Sequence, residues 1–259
     1  MSEALKIVDS LRSAGIVARI LGATAVRIHA HGYLDLHMAL GRELSDVDFV
    51  AYSKQRDQIE KHFTQELKYK MVTEAITPGL FMDRCIFFDE TGSSRVDVFL
   101  DRLQMNHTIE FRDRLERSYP TIPVTELLLE KLQIVRINEK DVKDTAILLL
   151  AHEVGKPSDD VIDANYVSKL LSNDWGFYYT VSTNLEKVRT LTQGYSALTD
   201  GNKSEISSKI EKLLDYIEKQ PKSLRWKIRS SIGTSQRWYN EVEEVERAEW
   251  LRDAVIKKE

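Results

Sequence analysis

Four residues stand where their types and spacing could do chemistry: Gly22, Asp46, Asp48 and Asp97. In DVDFVAY (46–52) the two aspartates alternate with Val47 and Phe49. A strand sends alternate side chains to one face, so Asp46 and Asp48 project together while Val47 and Phe49 point to the core. Asp97 lies in RVDVFLD with Val96 and Val98 on its other face. If the two strands are neighbours, three carboxylates converge, and such a cluster needs protons or cations to neutralise it. A hard divalent cation, Mg2+ or Mn2+, suits oxygen ligands and retains places for water and phosphate oxygens. Two such ions about 4 Å apart would stabilise both the attacking and the leaving oxygen of phosphoryl transfer. Gly22 closes the β-rich run IVARILG and opens the helical run TAVRIHAHGY. Without a side chain it lets a phosphate approach the backbone, while the helix start offers unpaired N–H groups and a positive dipole end. Thr24 adds a hydroxyl.

These residues need a sheet to hold them. Ala4, Ile7, Val8, Leu11 and Ala14 recur at helical spacing, with Ser2 as N-cap and Gly15 past the end. IVARILG (16–22) and DVDFVAY read as strands and QRDQIEKHFTQEL as a helix. RCIFFDETGSSRVDVFLD (84–101) reads as a hairpin around a Gly- and Ser-rich turn. After Pro120–Pro123 the strand signals thin out. VTELLLEKLQIVRI, SDDVIDANYVSKLL, the stretch from Tyr178 to Leu198, SEISSKIEKLLDYIEKQ and EVEEVERAEWLRDAVIKK all show helical periodicity. The expected architecture is α/β (α+β) with a small mixed sheet over residues 1–120, followed by an all-α helical domain over 121–259.

ILGATAV, then LSDVDFV, then RVDVFLD resemble the nucleotidyltransferase fold of the DNA polymerase beta superfamily. The shared pattern is a glycine-containing strand-to-helix turn, a strand with two acids around an apolar residue, and a lone acid on a later strand. The resemblance covers roughly residues 16–101. It implies that Asp46 and Asp48 hold the metals, and that Asp97 holds one of them and helps activate an attacking hydroxyl. Gly22, Ala23 and Thr24 would grip the nucleotide phosphates. Family members usually carry Gly or Ser where this chain has Ala23, which leaves the hydroxyl contact to Thr24. The interval from Gly22 to Asp46, with Arg42 and Ser45 ahead of the acids as further nucleotide contacts, is similar to the bacterial group that includes abortive-infection toxins. In that group a lysine lies on a following helix and an aspartate-bearing helix comes beyond it. Lys131 in LLLEKLQIVR and Asp141 and Asp144 in EKDVKDTAILL match that order. The implied activity is Mg2+-dependent transfer of a nucleoside monophosphate from a nucleoside triphosphate to a hydroxyl on a small molecule, protein or RNA. The alternative is a non-catalytic module of the same fold that binds a nucleotide or a protein.

Asp101 reads as solvated or helix-capping. His29 and His31 are two apart on a helix and diverge, which argues against a zinc pair; with His37 they read as solvent-exposed or rim residues. Asp141 and Asp144 read equally as a solvated face or as partners of Lys140 and Lys143. Cys85 is the lone cysteine and reads as a buried filler, which excludes a disulfide scaffold. Between Gln220 and Asn240 five basic residues interleave with Trp226, Trp238 and Tyr239 without an acid. That is the composition of a nucleic-acid contact, or of a helix with its apolar side turned inward. With 37 basic and 41 acidic residues the chain is not built to coat DNA, and 42% hydrophobic residues exclude a disordered tail. No apolar run is long enough to span a membrane, and the N-terminus lacks a signal-peptide pattern, so the expected location is the cytoplasm.

Overall fold

The computed structural model describes residues 1–44, 47–72, 83–158 and 160–241. Helix α1 (Ser2–Ser13) buries Ala4, Ile7, Val8 and Leu11 at the predicted spacing and ends before Gly15. Strand β1 (Ala18–Leu21) runs directly into α2 (Gly22–His29), and α3 (Leu34–Ala39) follows a 3-10 turn at His31–Tyr33. Then come β2 (Val47–Ala51) and α4 (Arg56–Lys61), which continues as a π-helical turn over His62–Glu66. The strands β3 (Lys70–Met71), β4 (Arg84–Phe88) and β5 (Arg95–Leu100) complete a five-stranded sheet in the order β1-β2-β5-β4-β3. The expected hairpin is present as the antiparallel pair β4 and β5, whereas β2 and β5 run parallel. The sheet is therefore mixed.

Beyond it, β6 (Arg102–Gln104) and β7 (Thr108–Glu110) form a small antiparallel ribbon. The chain then returns along β1: the Ile20 amide donates to the Pro120 carbonyl at 3.0 Å and the Ile122 amide to the Ile20 carbonyl at 3.0 Å. From there it enters α5 (Val124–Leu132) and α6 (Glu139–Ala151). Strands β8 (Glu153–Gly155) and β9 (Val161–Asp163) pair in parallel, and α7 (Ala164–Leu171), α8 (Trp175–Thr192), α9 (Asp200–Lys219) and α10 (Leu224–Ile232) follow. The strand pair β8 and β9 corrects the all-helical expectation for this half. In SDDVIDANYVSKLL the helix begins only at Ala164, because the Asp163 side chain accepts from the Tyr166 amide and so caps it. Side-chain caps also set the starts of α6, α8, α9 and α10, through Asn138, Asp174, Thr199 and Ser223. The stretch EVEEVERAEWLRDAVIKK lies outside the described residues but for Glu241.

One hydrophobic core joins the halves. Its buried members run from Ala4 in α1 through Phe49, Phe87 and Val98 in the sheet to Leu128, Leu149, Leu185 and Leu213 in the helices. At the end of α5, the Asn184 amide group donates to the carbonyls of Leu132 and Ile134 at 2.9 and 2.7 Å. It thereby satisfies acceptors that a helix end leaves without a backbone partner.

Candidate active site

The register sets the site. Leu21 lies opposite Asp48, Asp48 beside Asp97, and Asp97 opposite Ile86, so these four residues form one row across β1, β2, β5 and β4. Paired residues in a ladder share a face, so Asp48 and Asp97 project the same way. The opposite face, carrying Val96 and Phe87, is apolar; Phe63 stacks on Phe87 there with ring centroids 4.2 Å apart. Asp46 and Ser45 lie outside the described residues.

Gly22 follows β1 directly and has φ +73°, a conformation natural to glycine. A β-carbon at this position would stand 2.9 Å from Asp48 Oδ2. The strand-to-helix turn thus lies directly against Asp48. Ala23 is half-buried and Thr24 buried in the first turn of α2.

Asp97 is 8% exposed and held by cations. Arg95 lies two residues earlier on the same face and donates Nε and Nη2 to its two oxygens at 2.9 and 2.7 Å. Arg84, from β4, approaches to 3.8 Å. Burial lowers the Arg84 pKa, and the charges of Asp97 and Asp48 oppose that shift, so this guanidinium feels both carboxylates. The donors themselves suit a hard divalent ion, since both are carboxylates on adjacent strands. An ion bound there would exchange with the guanidinium of Arg95.

Behind the turn lies a buried chain of charges. The Gly22 amide donates to Glu130 Oε2 at 3.1 Å, and Glu130 Oε1 accepts from Lys131 Nζ at 2.9 Å. Lys131 also stands 3.7 Å from Asp144, whose two oxygens accept from Arg42 Nε and Nη2 at 2.7 and 2.9 Å. Burial lowers the Lys131 pKa, but Glu130, Asp144 and Asp141 together outweigh it and hold the ammonium above its ordinary value. Burial pushes Asp141 up from 3.8 to about 6, with Lys131 opposing. Asp144 is therefore neither a solvated residue nor a partner of Lys140 or Lys143; it bridges Arg42 and Lys131. Lys143 pairs with Glu139. Glu130 was not singled out from sequence. The one local signal was a charged pair set within the apolar run LLLEKL.

Other expectations resolve individually. The Asp101 carboxylate accepts from the Ser53 amide at 3.0 Å, at the start of the turn leading into α4, so it caps. Cys85 is buried, and burial pushes its thiol up to about 12. His31 is exposed, but His37 is buried and His29 half-buried, which corrects the solvent-exposed reading of those two. Both pKa values are lowered, chiefly by burial. The Gln220–Asn240 aromatics pack largely against the protein. Trp238 Nε1 donates to Thr180 at 3.0 Å, Trp226 meets Tyr178 edge-on, and Arg229 covers Trp175. Arg225 and Arg237 remain exposed beside them, on a cleft of ≈ 950 Å³.

No protein-family model matches the sequence, and a search of curated proteins finds no similar one.

Proposed function

We propose that the chain is a metal-dependent nucleotidyltransferase that takes a nucleoside monophosphate from a nucleoside triphosphate to an acceptor hydroxyl and releases pyrophosphate. The observation that carries this reading is the in-register pair Asp48 and Asp97 with the Gly22 turn directly against Asp48. Asp48 and Asp97, with Asp46 by resemblance, would hold Mg2+ or Mn2+. When bound, such an ion neutralises phosphate charge and lowers the pKa of an oxygen it touches. The dipole of α2 favours an anion at its start, where the Gly22 amide is at present taken by Glu130. Lys131 adds a fixed positive charge behind that turn, and its pairing with Glu130 and Asp144 keeps it protonated. Arg42 anchors this arrangement through Asp144 and is a positioning residue more than a direct phosphate contact. The acceptor is a small molecule, a protein side chain or an RNA end, the last drawing on the basic surface of 220–240. Among the described residues no helix is long and apolar enough to cross a membrane. The nucleotide substrate and the lone cysteine fit a cytoplasmic enzyme.

A second reading has its own observation. Arg95 already engages both oxygens of Asp97, and Glu130 already accepts from the Gly22 amide. The chain's own groups therefore stand where a cation and a phosphate would bind, as suits a non-catalytic module. Incubation with α-phosphate-labelled nucleoside triphosphates, Mg2+ and a panel of hydroxyl acceptors separates the two. The enzyme reading expects label transfer that Asp48→Asn and Asp97→Asn abolish. Transfer that survives both substitutions would remove this site from the chemistry.

A further inference from the structure

We propose that His29, His152 and Asp160 form a binding site for a single Zn2+ ion, at the opposite end of α2 from Gly22. One ligand atom from each of the three lies within 4.8 Å of the others. The two imidazoles meet edge to face, with ring centroids 5.3 Å apart. His152 is only 5% exposed. Its Nδ1 hydrogen-bonds to the Asp160 carbonyl at 2.9 Å, so the proton sits on that nitrogen. Its Nε2 is buried, and no hydrogen-bonding group among the described residues reaches it. A buried polar atom without a partner is uncommon and asks for a ligand. His29 is held in the same manner: Nε2 lies 2.9 Å from the Ile122 carbonyl and 2.8 Å from the Thr121 hydroxyl. Donation to that carbonyl leaves Nδ1 with its lone pair. A backbone carbonyl thus fixes the tautomer of each ring, which is how metal-bound imidazoles are commonly oriented.

The donor set names the ion. Two neutral imidazoles and one carboxylate suit Zn2+, which takes nitrogen readily, and do not suit Mg2+, which prefers oxygen throughout. Three protein ligands leave a fourth position for water. His29 and Asp160 both line a cleft of ≈ 630 Å³ that also carries Arg117 and Tyr119, which gives solvent access to these two ligands. His29 is the last residue of α2, where the helix dipole is negative and favours a cation. The eight residues of α2 put the site about 10 Å along the helix from Gly22. It is therefore separate from the Asp48 and Asp97 pair and independent of the catalytic reading.

The test uses the whole chain, stripped with a chelator and titrated with Zn2+ in the presence of excess Mg2+. One Zn2+ should bind per chain, and Co2+ in its place should show the visible absorption of a four-coordinate site. Asp160→Asn, at an exposed position, and His152→Gln should each weaken Zn2+ binding at least about tenfold, the lower end for losing even an outer-shell partner. Asp48→Asn and His31→Ala should leave the affinity unchanged, which separates this site from the acidic pair and from surface histidines. Far-ultraviolet circular dichroism checks folding, and Asp160→Asn keeps the test open if His152→Gln unfolds. A chain that takes up no Zn2+, or one whose affinity Asp160→Asn does not move, would overturn the assignment.

Discussion

Gly22 does two jobs with one missing side chain. At φ +73° it turns β1 into α2, and its bare α-carbon leaves Asp48 Oδ2 the space a β-carbon would contest at 2.9 Å. Gly22→Ala forces both issues. The left-handed backbone costs about 1–2 kcal/mol for a non-glycine residue, and the Asp48 carboxylate must swing aside. Urea unfolding should register a loss of about that size, and a midpoint equal to wild type would contradict the geometry. This residue, with Asp48 and Asp97, was legible in the sequence because alternation along a strand and a glycine at a strand end are local signals. Glu130 and Asp144 were not. Their meaning depends on α5 and α6 crossing behind the α2 turn, and nothing in the spacing of LLLEKL or EKDVKDT specifies that crossing.

At the scale of elements, the hairpin of β4 and β5 and helices α1 and α9 follow the periodicity closely. Helix α5 instead stops at Leu132, short of the periodic run to Ile137, and α8 spans Trp175–Thr192 in place of Tyr178 to Leu198. The pair β8 and β9 does not follow it, because three-residue strands carry too little alternation to compete with a neighbouring helical pattern. A buried histidine tests the joint between the small ribbon and α8. His107, just before β7, stacks on Phe177 with ring centroids 4.8 Å apart and hydrogen-bonds Thr180 at 2.8 Å. Burial lowers its pKa from 6.5 to about 4, against a small opposing effect of Asp174. Between those values the unfolded chain binds a proton that the folded chain refuses. The histidine's contribution is therefore full above pH 6.5 and is lost as pH falls through about 4. Its size is on the order of 3 kcal/mol. Asp141 acts in the opposite direction: raised to about 6, it favours the folded chain at low pH and loses that contribution as pH rises through that value. Comparing wild type with His107→Gln at each pH isolates the histidine. Urea midpoints should fall more steeply on acidification for wild type than for the variant, and parallel profiles would show that His107 titrates normally.

For the whole molecule, the decisive feature is one core beneath both the sheet and the helices, which makes the charge chain from Arg42 to Gly22 a product of their packing. Two built-in probes read the halves separately. The lone cysteine, Cys85, is buried in the sheet, and the four tryptophans, at 175, 226, 238 and 250, all follow residue 120. Thiol labelling and tryptophan fluorescence should therefore report the same denaturant midpoint, as one cooperative unit requires. Two separate midpoints would mean that the sheet and the helices unfold independently. Binding of a metal and a nucleotide on the sheet face bearing Asp48 and Asp97 can be tested on the protein itself. The purified chain is titrated by calorimetry with each nucleoside triphosphate, with and without Mg2+, alongside Asp48→Asn and Asp97→Asn. At least one triphosphate should bind, only with Mg2+ present, and that binding should disappear in both variants. Absence of binding for every triphosphate, or binding indifferent to Mg2+ and to both aspartates, would contradict the proposed site.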